Sequence, residues 1–154
     1  MGVEIERKFL VRGDEWRGHG PAVLLRQGYL SDDPERVVRV RIEGDTAQLT
    51  IKGCNTGPTR GEWEYPIPVA DAQDLLARLC HQPLIEKYRC RIPYQGMVWE
   101  VDEFLGDNAG LLVAEIELSA PDQVFAKPDW VGDEVTDDRR YFNSSLIRHP
   151  FSRW

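Results

Sequence analysis

Apolar and polar residues alternate along most of this chain. In VEIERKFLV, residues 3–11, Val3, Ile5 and Phe9 take one parity and Glu4, Glu6 and Lys8 the other. Side chains of a strand point alternately to opposite faces, so the stretch predicts a β-strand with one apolar and one charged face. The same reading predicts a strand over 24–32, a hairpin over 36–53 turning at Gly44-Asp45, and a strand over 61–67. Strands over 85–94, 97–106 and 110–119 form a meander, turning at Gln95-Gly96 and across 106–110. Helical spacing is rarer. In DAQDLLARLC, 71–80, Ala72, Leu75, Leu76 and Leu79 share one stripe, with Asp71 as the expected N-cap and Pro83 barring continuation. Residues 137–147 predict a helix or turn cluster, and 14–26, broken by Gly18, Gly20 and Pro21, at most a short helix. The fold class is mainly β (α+β) with a few helices.

Charge sharpens the picture. Arg39 and Arg41 alternate with Val38, Val40 and Ile42, and Lys52 with Leu49 and Ile51. Glu62 and Glu64 alternate with Trp63 and Tyr65, and Lys87, Arg89 and Arg91 with Tyr88, Cys90 and Ile92. Glu100 and Asp102 alternate with Trp99 and Val101, and Glu115 and Glu117 with Ala114, Ile116 and Leu118. On any one strand this describes a sheet with one face in water. Across all these strands the polar parity holds almost no Ser, Thr or Gln, and its charges come in same-sign blocks, acidic near 62, 100 and 115 and basic near 39 and 87. A solvated face has no need of such blocks.

A closed antiparallel barrel of about eight strands, charged parity inward, is the alternative. Unpartnered buried charges are prohibitive, so such a bore must be hydrated and hold a matching ligand. Cations suit a polyanion; carboxylates suit Mg²⁺ or Mn²⁺, hard ions that take oxygen ligands. Residues i and i+2 lie about 6.5–7 Å apart, so Glu4/Glu6 and Glu115/Glu117 are expected to reach a metal from two walls. A metal-bound chain of phosphates satisfies both halves. The apolar parity, with Trp63, Trp99 and Arg7 on it, then faces outward. The 71–80 helix and the C-terminal segment cover too little of it, which points to a homodimer contact.

Bulk properties narrow the partners. At 154 residues, 42% hydrophobic and 29% charged, the chain is expected to form one domain over 1–154. A net charge of −7 argues against a nucleic-acid partner. No apolar run matches a membrane span and no leader pattern opens the chain, so a cytoplasmic protein without membrane contact is expected. Cys54, Cys80 and Cys90 read as reduced thiols, and His19, His81 and His149 lack metal-site spacing.

EIERKFLV matches the E-x-E-x-K strand of the CYTH superfamily, the triphosphate tunnel metalloenzymes. The resemblance continues in order through QGYL (27–30), RVRI (39–42), LTIKG (49–53), RGEWEY (60–65), EKYR (86–89), WEVDEFLG (99–106), AEIEL (114–118) and EVTDDRRYFNSSL (134–146). It implies a closed eight-stranded antiparallel tunnel with a few covering helices, and metal-dependent chemistry on a triphosphate. By the same resemblance Glu4, Glu6, Glu115 and Glu117 are the metal carboxylates. Lys8, Arg39, Arg41, Lys52, Lys87 and Arg89 grip the phosphates, and Glu62, Glu64 and Asp102 are supporting acids, Asp102 beside the metal. Glu4, Glu6, Lys8, Arg41 and Lys87 form the implied catalytic set. Arg91 sits at a less regular position and stays outside it. The C-terminal segment resembles the part that closes one tunnel end, with Tyr141 and Asn143 in matching places.

Short members with this opening resemble inorganic triphosphatases, so cleavage of tripolyphosphate to pyrophosphate and phosphate is expected. The alternatives are an organic triphosphate (thiamine triphosphate, a nucleoside triphosphate, or ATP cyclised by a class IV adenylyl cyclase) and a polyphosphate-binding module without turnover. Cyclase members tend to carry an aromatic His-Phe pair ahead of the acidic strand, where this chain has Met1, Gly2 and Val3. Both E-x-E pairs are intact, which favours an enzyme over a binding module.

Overall fold

The computed structural model describes residues 2–154. Nine strands follow the alternating stretches: β1 Glu4–Val11, β2 Ala22–Ser31, β3 Val37–Glu43, β4 Thr46–Thr56, β5 Thr59–Ile67, β6 Ile85–Tyr94, β7 Met97–Phe104, β8 Leu112–Glu117 and β9 Val131–Glu134. The sheet runs β5-β4-β3-β2-β6-β7-β8-β1, and β1 pairs back to β5, so eight antiparallel strands close into a barrel. β9 adds along the later part of β1. This short strand, VGDE, carries no alternating signal and is not anticipated from the sequence. Gln95 and Gly96 both take positive φ (46° and 81°), the two-residue hairpin geometry whose twist suits flanking strands.

The helices differ in detail from expectation. α1 spans Val69–Arg78 with Pro68 at the N-cap position, so Asp71 lies inside the first turn. There it still faces the positive end of the helix dipole. Ala72 and Leu76 are buried while Leu79 stands exposed. Residues 137–147 break into a 3-10 turn at Arg139–Tyr141 and a short helix α2 at Asn143–Leu146. Residues 14–20 form turns, and β2 begins within the expected short helix. No described helix is long and apolar enough to cross a membrane.

Three apolar clusters position the bore. α1 packs on the outer face of β3 and β4 through Val40, Ile42, Ala47, Ala72 and Leu76. Its exit runs against β2 at Gly28, where an added Cβ would stand 2.7 Å from Leu84 and 2.9 Å from Cys80. The outer face of β1, β6, β7 and β8 is covered by loops: Trp16, Phe125 and Trp130 pack with Phe9, Ile92, Trp99, Val101 and Ile116. The expected outer cover from the C-terminal segment is therefore corrected. That segment packs against the barrel end instead, where Tyr141, Leu146 and Ile147 meet Tyr29, Val37, Ile85, Phe104 and Val113. Val37, Ile85, Phe104 and Val113 share the parity of the charged residues, so the inner wall changes from charged to apolar at this end.

Candidate active site

Closure of the sheet carries the charged parity into one cavity of about 250 Å³. Of the residues expected from the sequence, Glu4, Glu6, Lys8, Arg39, Arg41, Lys52, Glu62, Glu64, Lys87, Arg89, Glu115 and Glu117 all line it, with Asn143 at the capped end. Asp102 faces inward but lies outside the cavity lining: it accepts from Lys87 Nζ at 2.7 Å and from Arg89 Nε at 2.8 Å. Tyr141 is buried in the cap, edge-on to Trp154, outside the cavity lining.

The circular strand order sorts the charges into two half-walls. β7, β8, β1 and β5 carry Glu100, Asp102, Glu115, Glu117, Glu4, Glu6, Glu62 and Glu64 with the cations Lys8 and Arg60 among them, while β4, β3 and β6 carry Lys52, Arg39, Arg41, Lys87, Arg89 and Arg91 with the acid Glu43 among them. Ion pairs cross the seams. Lys52 meets Glu4 at 3.0 Å and Glu62 at 3.4 Å, and Arg89 meets Glu115 at 3.1 Å; within the acidic half Lys8 meets Glu115 at 2.7 Å. Arg39 stands 3.6 Å from Glu64, and its Nε is buried without a partner. Asn143 Oδ1 accepts from Lys87 Nζ at 2.8 Å and from Gln27 Nε2 at 3.2 Å, tying the cap to the basic wall.

These contacts set the protonation of the bore. Burial pushes Glu4 up, but Lys52 and a hydrogen bond from Glu62 prevail and hold it at about 2. Burial and Glu4 push that partner, Glu62, up to about 7. Burial, Glu115 and Glu4 raise Glu6 well above the usual carboxylate range. Burial opposes ionisation of Glu115, yet Lys8 and Arg89 keep it well below that range. On the basic side, burial together with Arg89 and Arg41 pulls Lys87 down to about 7 against the opposing charge of Asp102. Burial, Arg39 and Arg89 pull Arg41 down to about 9.

The CYTH domain family model matches residues 2–148. The chain belongs to the CYTH domain family. An inorganic triphosphatase of Acetivibrio thermocellus is 51% identical over 154 residues, covering 100% of this chain and 99% of the relative. An inorganic triphosphatase of Nitrosomonas europaea is 37% identical over 149 residues, covering 94% and 96%. A crystal structure of an inorganic triphosphatase superposes with a TM-score of 0.66 at 35% identity, covering 93% of this chain and 96% of the other.

Within this CYTH barrel, several bore residues lie outside the expected site set. Glu43, Gln48, Arg60 and Phe142 also line the cavity, as do Arg91 and Glu100. Parity held the signal for three of them: Glu43 continues the series Arg39, Arg41; Arg60 the series Glu64, Glu62; and Gln48 the parity of Lys52. Arg91, left outside the expected set, spans the open end, donating to Glu43 at 2.9 Å and to Glu100 at 2.9 Å. Arg7 faces outward as expected, donating to the Pro121 carbonyl at 3.0 Å.

The carboxylates fit a divalent metal by their chemistry. Glu6 stands opposite Glu117, and Lys8 opposite Glu115, on the paired strands β1 and β8. The expected two walls are thus adjacent strands. Like charges directly opposite are unfavourable without a cation between them. Burial, with Glu115 and Glu4 nearby, raises Glu6, and burial, with Glu4 and Glu100 nearby, raises Glu117. Among the described residues no three carboxylates are yet gathered as a metal-binding group. Glu4 and Glu115 are engaged by Lys52, Lys8 and Arg89 instead.

Proposed function

We propose that the protein hydrolyses tripolyphosphate to pyrophosphate and phosphate, with the charged bore as its active site. The observation that carries this reading is the division of one cavity into a basic and an acidic half-wall, in a chain 51% identical end to end to an inorganic triphosphatase. An inorganic triphosphate needs no platform for an organic part. The aromatic residues lining the cavity, Tyr29 and Phe142, belong to the capped end, which leaves the open end without a ring for a base.

In the reaction, water attacks a terminal phosphorus, the phosphoanhydride P–O bond breaks, pyrophosphate departs, and the water's proton passes to solvent, leaving phosphate. Charge spreads over the phosphoryl oxygens, so rate comes from positioning and electrostatics. Lys8, Arg39, Arg41, Lys52, Lys87 and Arg89 are the groups assigned to that charge. Phosphate oxygens compete for the donors that hold Glu4 and Glu115 in the resting bore, and each cation given to phosphate frees a carboxylate. Glu4, Glu6, Glu115 and Glu117 would hold Mg²⁺ or Mn²⁺, which would supply further charge neutralisation and lower the proton affinity of the attacking water.

The test is phosphate release from tripolyphosphate, ATP, thiamine triphosphate and pyrophosphate, each with Mg²⁺, Mn²⁺ or EDTA. Tripolyphosphate should be cleaved fastest, and EDTA should abolish release. Binding without release under any metal overturns the enzyme reading in favour of a binding module.

The reading extends to setting and assembly. Cys54, Cys80 and Cys90 are free thiols, which supports a reducing, cytoplasmic location. On the outer wall Ile51 pairs with Trp63 and Leu49 with Tyr65, and Ile51, Trp63 and Tyr65 remain exposed. A homodimer using this stripe should sediment at micromolar concentration with twice the 17.7 kDa chain mass. A monomer under those conditions removes the dimer.

A further inference from the structure

We propose that Arg60 is a further triphosphate-binding residue, engaging the phosphate at the Arg39 end of the bore. This rests on the proposed function above. Arg60 lies on β5 directly opposite Glu4 of β1 and Asn55 of β4, beside an irregularity in the pairing between Lys52 and Asn55. It shares the inward parity of Glu62 and Glu64 and lines the cavity.

Its partners set it apart. Of the eight cations lining the cavity, six are held by carboxylates in the resting protein: Lys8, Arg39, Lys52, Lys87, Arg89 and Arg91. Among the described residues, Arg41 and Arg60 form no ion pair. Arg41 is already assigned to the substrate. Arg60 Nε donates to the Gly53 carbonyl at 2.7 Å, a bond that fixes the guanidinium and leaves its two terminal nitrogens for a ligand. Tyr29, Arg39, Glu4 and Glu6 are its charged or polar neighbours, and burial pulls its pKa down. A half-buried guanidinium with carboxylates nearby but none paired to it, facing an aqueous bore, suits a phosphate, which its planar fork can hold through two parallel N–H···O bonds.

The bland alternative is that Arg60 only ties the β4–β5 hairpin together through Gly53. Arg60→Ala and Arg60→Lys separate the two, because lysine keeps the charge but lacks the Nε–H. For Arg60→Ala, KM for tripolyphosphate should rise about tenfold while kcat stays within about threefold. Calorimetric affinity for tripolyphosphate in EDTA should fall by the same factor. Arg60→Lys, which keeps the charge but not the fork, should recover part of both losses. KM and metal-free affinity within about twofold of the unsubstituted protein in Arg60→Ala overturn the proposal. So does an Arg60→Lys protein that behaves like Arg60→Ala. If the unsubstituted protein binds tripolyphosphate without cleaving it, the hydrolase reading fails while the affinity comparison still decides Arg60. If it does not bind at all, both fall.

Discussion

Replacing Arg41 with alanine is expected to cut tripolyphosphate turnover by about two to three orders of magnitude, the size seen when one preorganised donor to transition-state charge is lost. The barrel should stay folded. Arg41 enters the bore from β3, and its Nε donates to Gln27 Oε1 at 2.8 Å. No carboxylate pairs with it among the described residues, and burial, Arg39 and Arg89 pull its pKa down to about 9. The sign of the stability effect follows. A base that binds its proton less tightly when folded makes the charged native state costly, and that cost is fully present below the folded value of about 9. Stability rises only as pH climbs from there toward the ordinary arginine range. At neutral pH the alanine protein should therefore melt at the same temperature or higher. Loss of turnover with no loss of stability separates a substrate cation from a scaffold residue. A folded Arg41→Ala protein with turnover within about tenfold of the unsubstituted one would sink the assignment.

Such a residue is visible in the sequence because alternation is local. Arg39 and Arg41, Lys87 and Arg89, and Glu115 and Glu117 declare a shared face two residues at a time, and the ordered resemblance supplies the closure that turns the face inward. What stays hidden depends on distant chain. Val37, Ile85, Phe104 and Val113 have the same parity as the charged residues, yet they form the apolar floor under Tyr141 and Leu146. Read strand by strand they are only residues at strand ends. The cover for Trp99 comes from Phe125 and Trp130, in a segment with no periodicity to announce it. Asp102 has the parity of a metal ligand, and only the β6–β7 register, which sets it opposite Arg89, makes it a support for Arg89 and Lys87. Asp71 shows the reverse failure: a good capping residue lost the position because Pro68, with its fixed φ and missing N–H, starts α1 three residues earlier.

Glu6→Gln should remove metal-dependent turnover and leave the metal-free protein at least as stable. Glu6 on β1 and Glu115 on β8 are close enough to interact, and the proton stays on Glu6. Burial, Glu115 and Glu4 favour the protonated form of Glu6, while Lys8 and Arg89 keep Glu115 ionised. An acid whose folded pKa lies above its unfolded value retains its proton longer in the native state. Its contribution to stability is therefore lost as pH rises from the unfolded value of 4.5 through the folded one. Glutamine, like the protonated acid, is a neutral donor, and it never ionises, so that loss should vanish from the melting profile of the metal-free protein. It cannot serve as an anionic ligand for Mg²⁺ or Mn²⁺, and metal affinity should drop by at least about tenfold. Ligands must shed their protons to bind metal, so metal uptake by the unsubstituted protein should release a proton and weaken as pH falls. Calorimetric titrations in two buffers of different ionisation enthalpy read that proton directly. A Glu6→Gln protein that takes up metal with unchanged affinity and still releases the proton would place the metal away from Glu6. Proton release confined to the unsubstituted protein would instead tie metal uptake to the raised carboxyl of Glu6, the second acidic position of the opening strand.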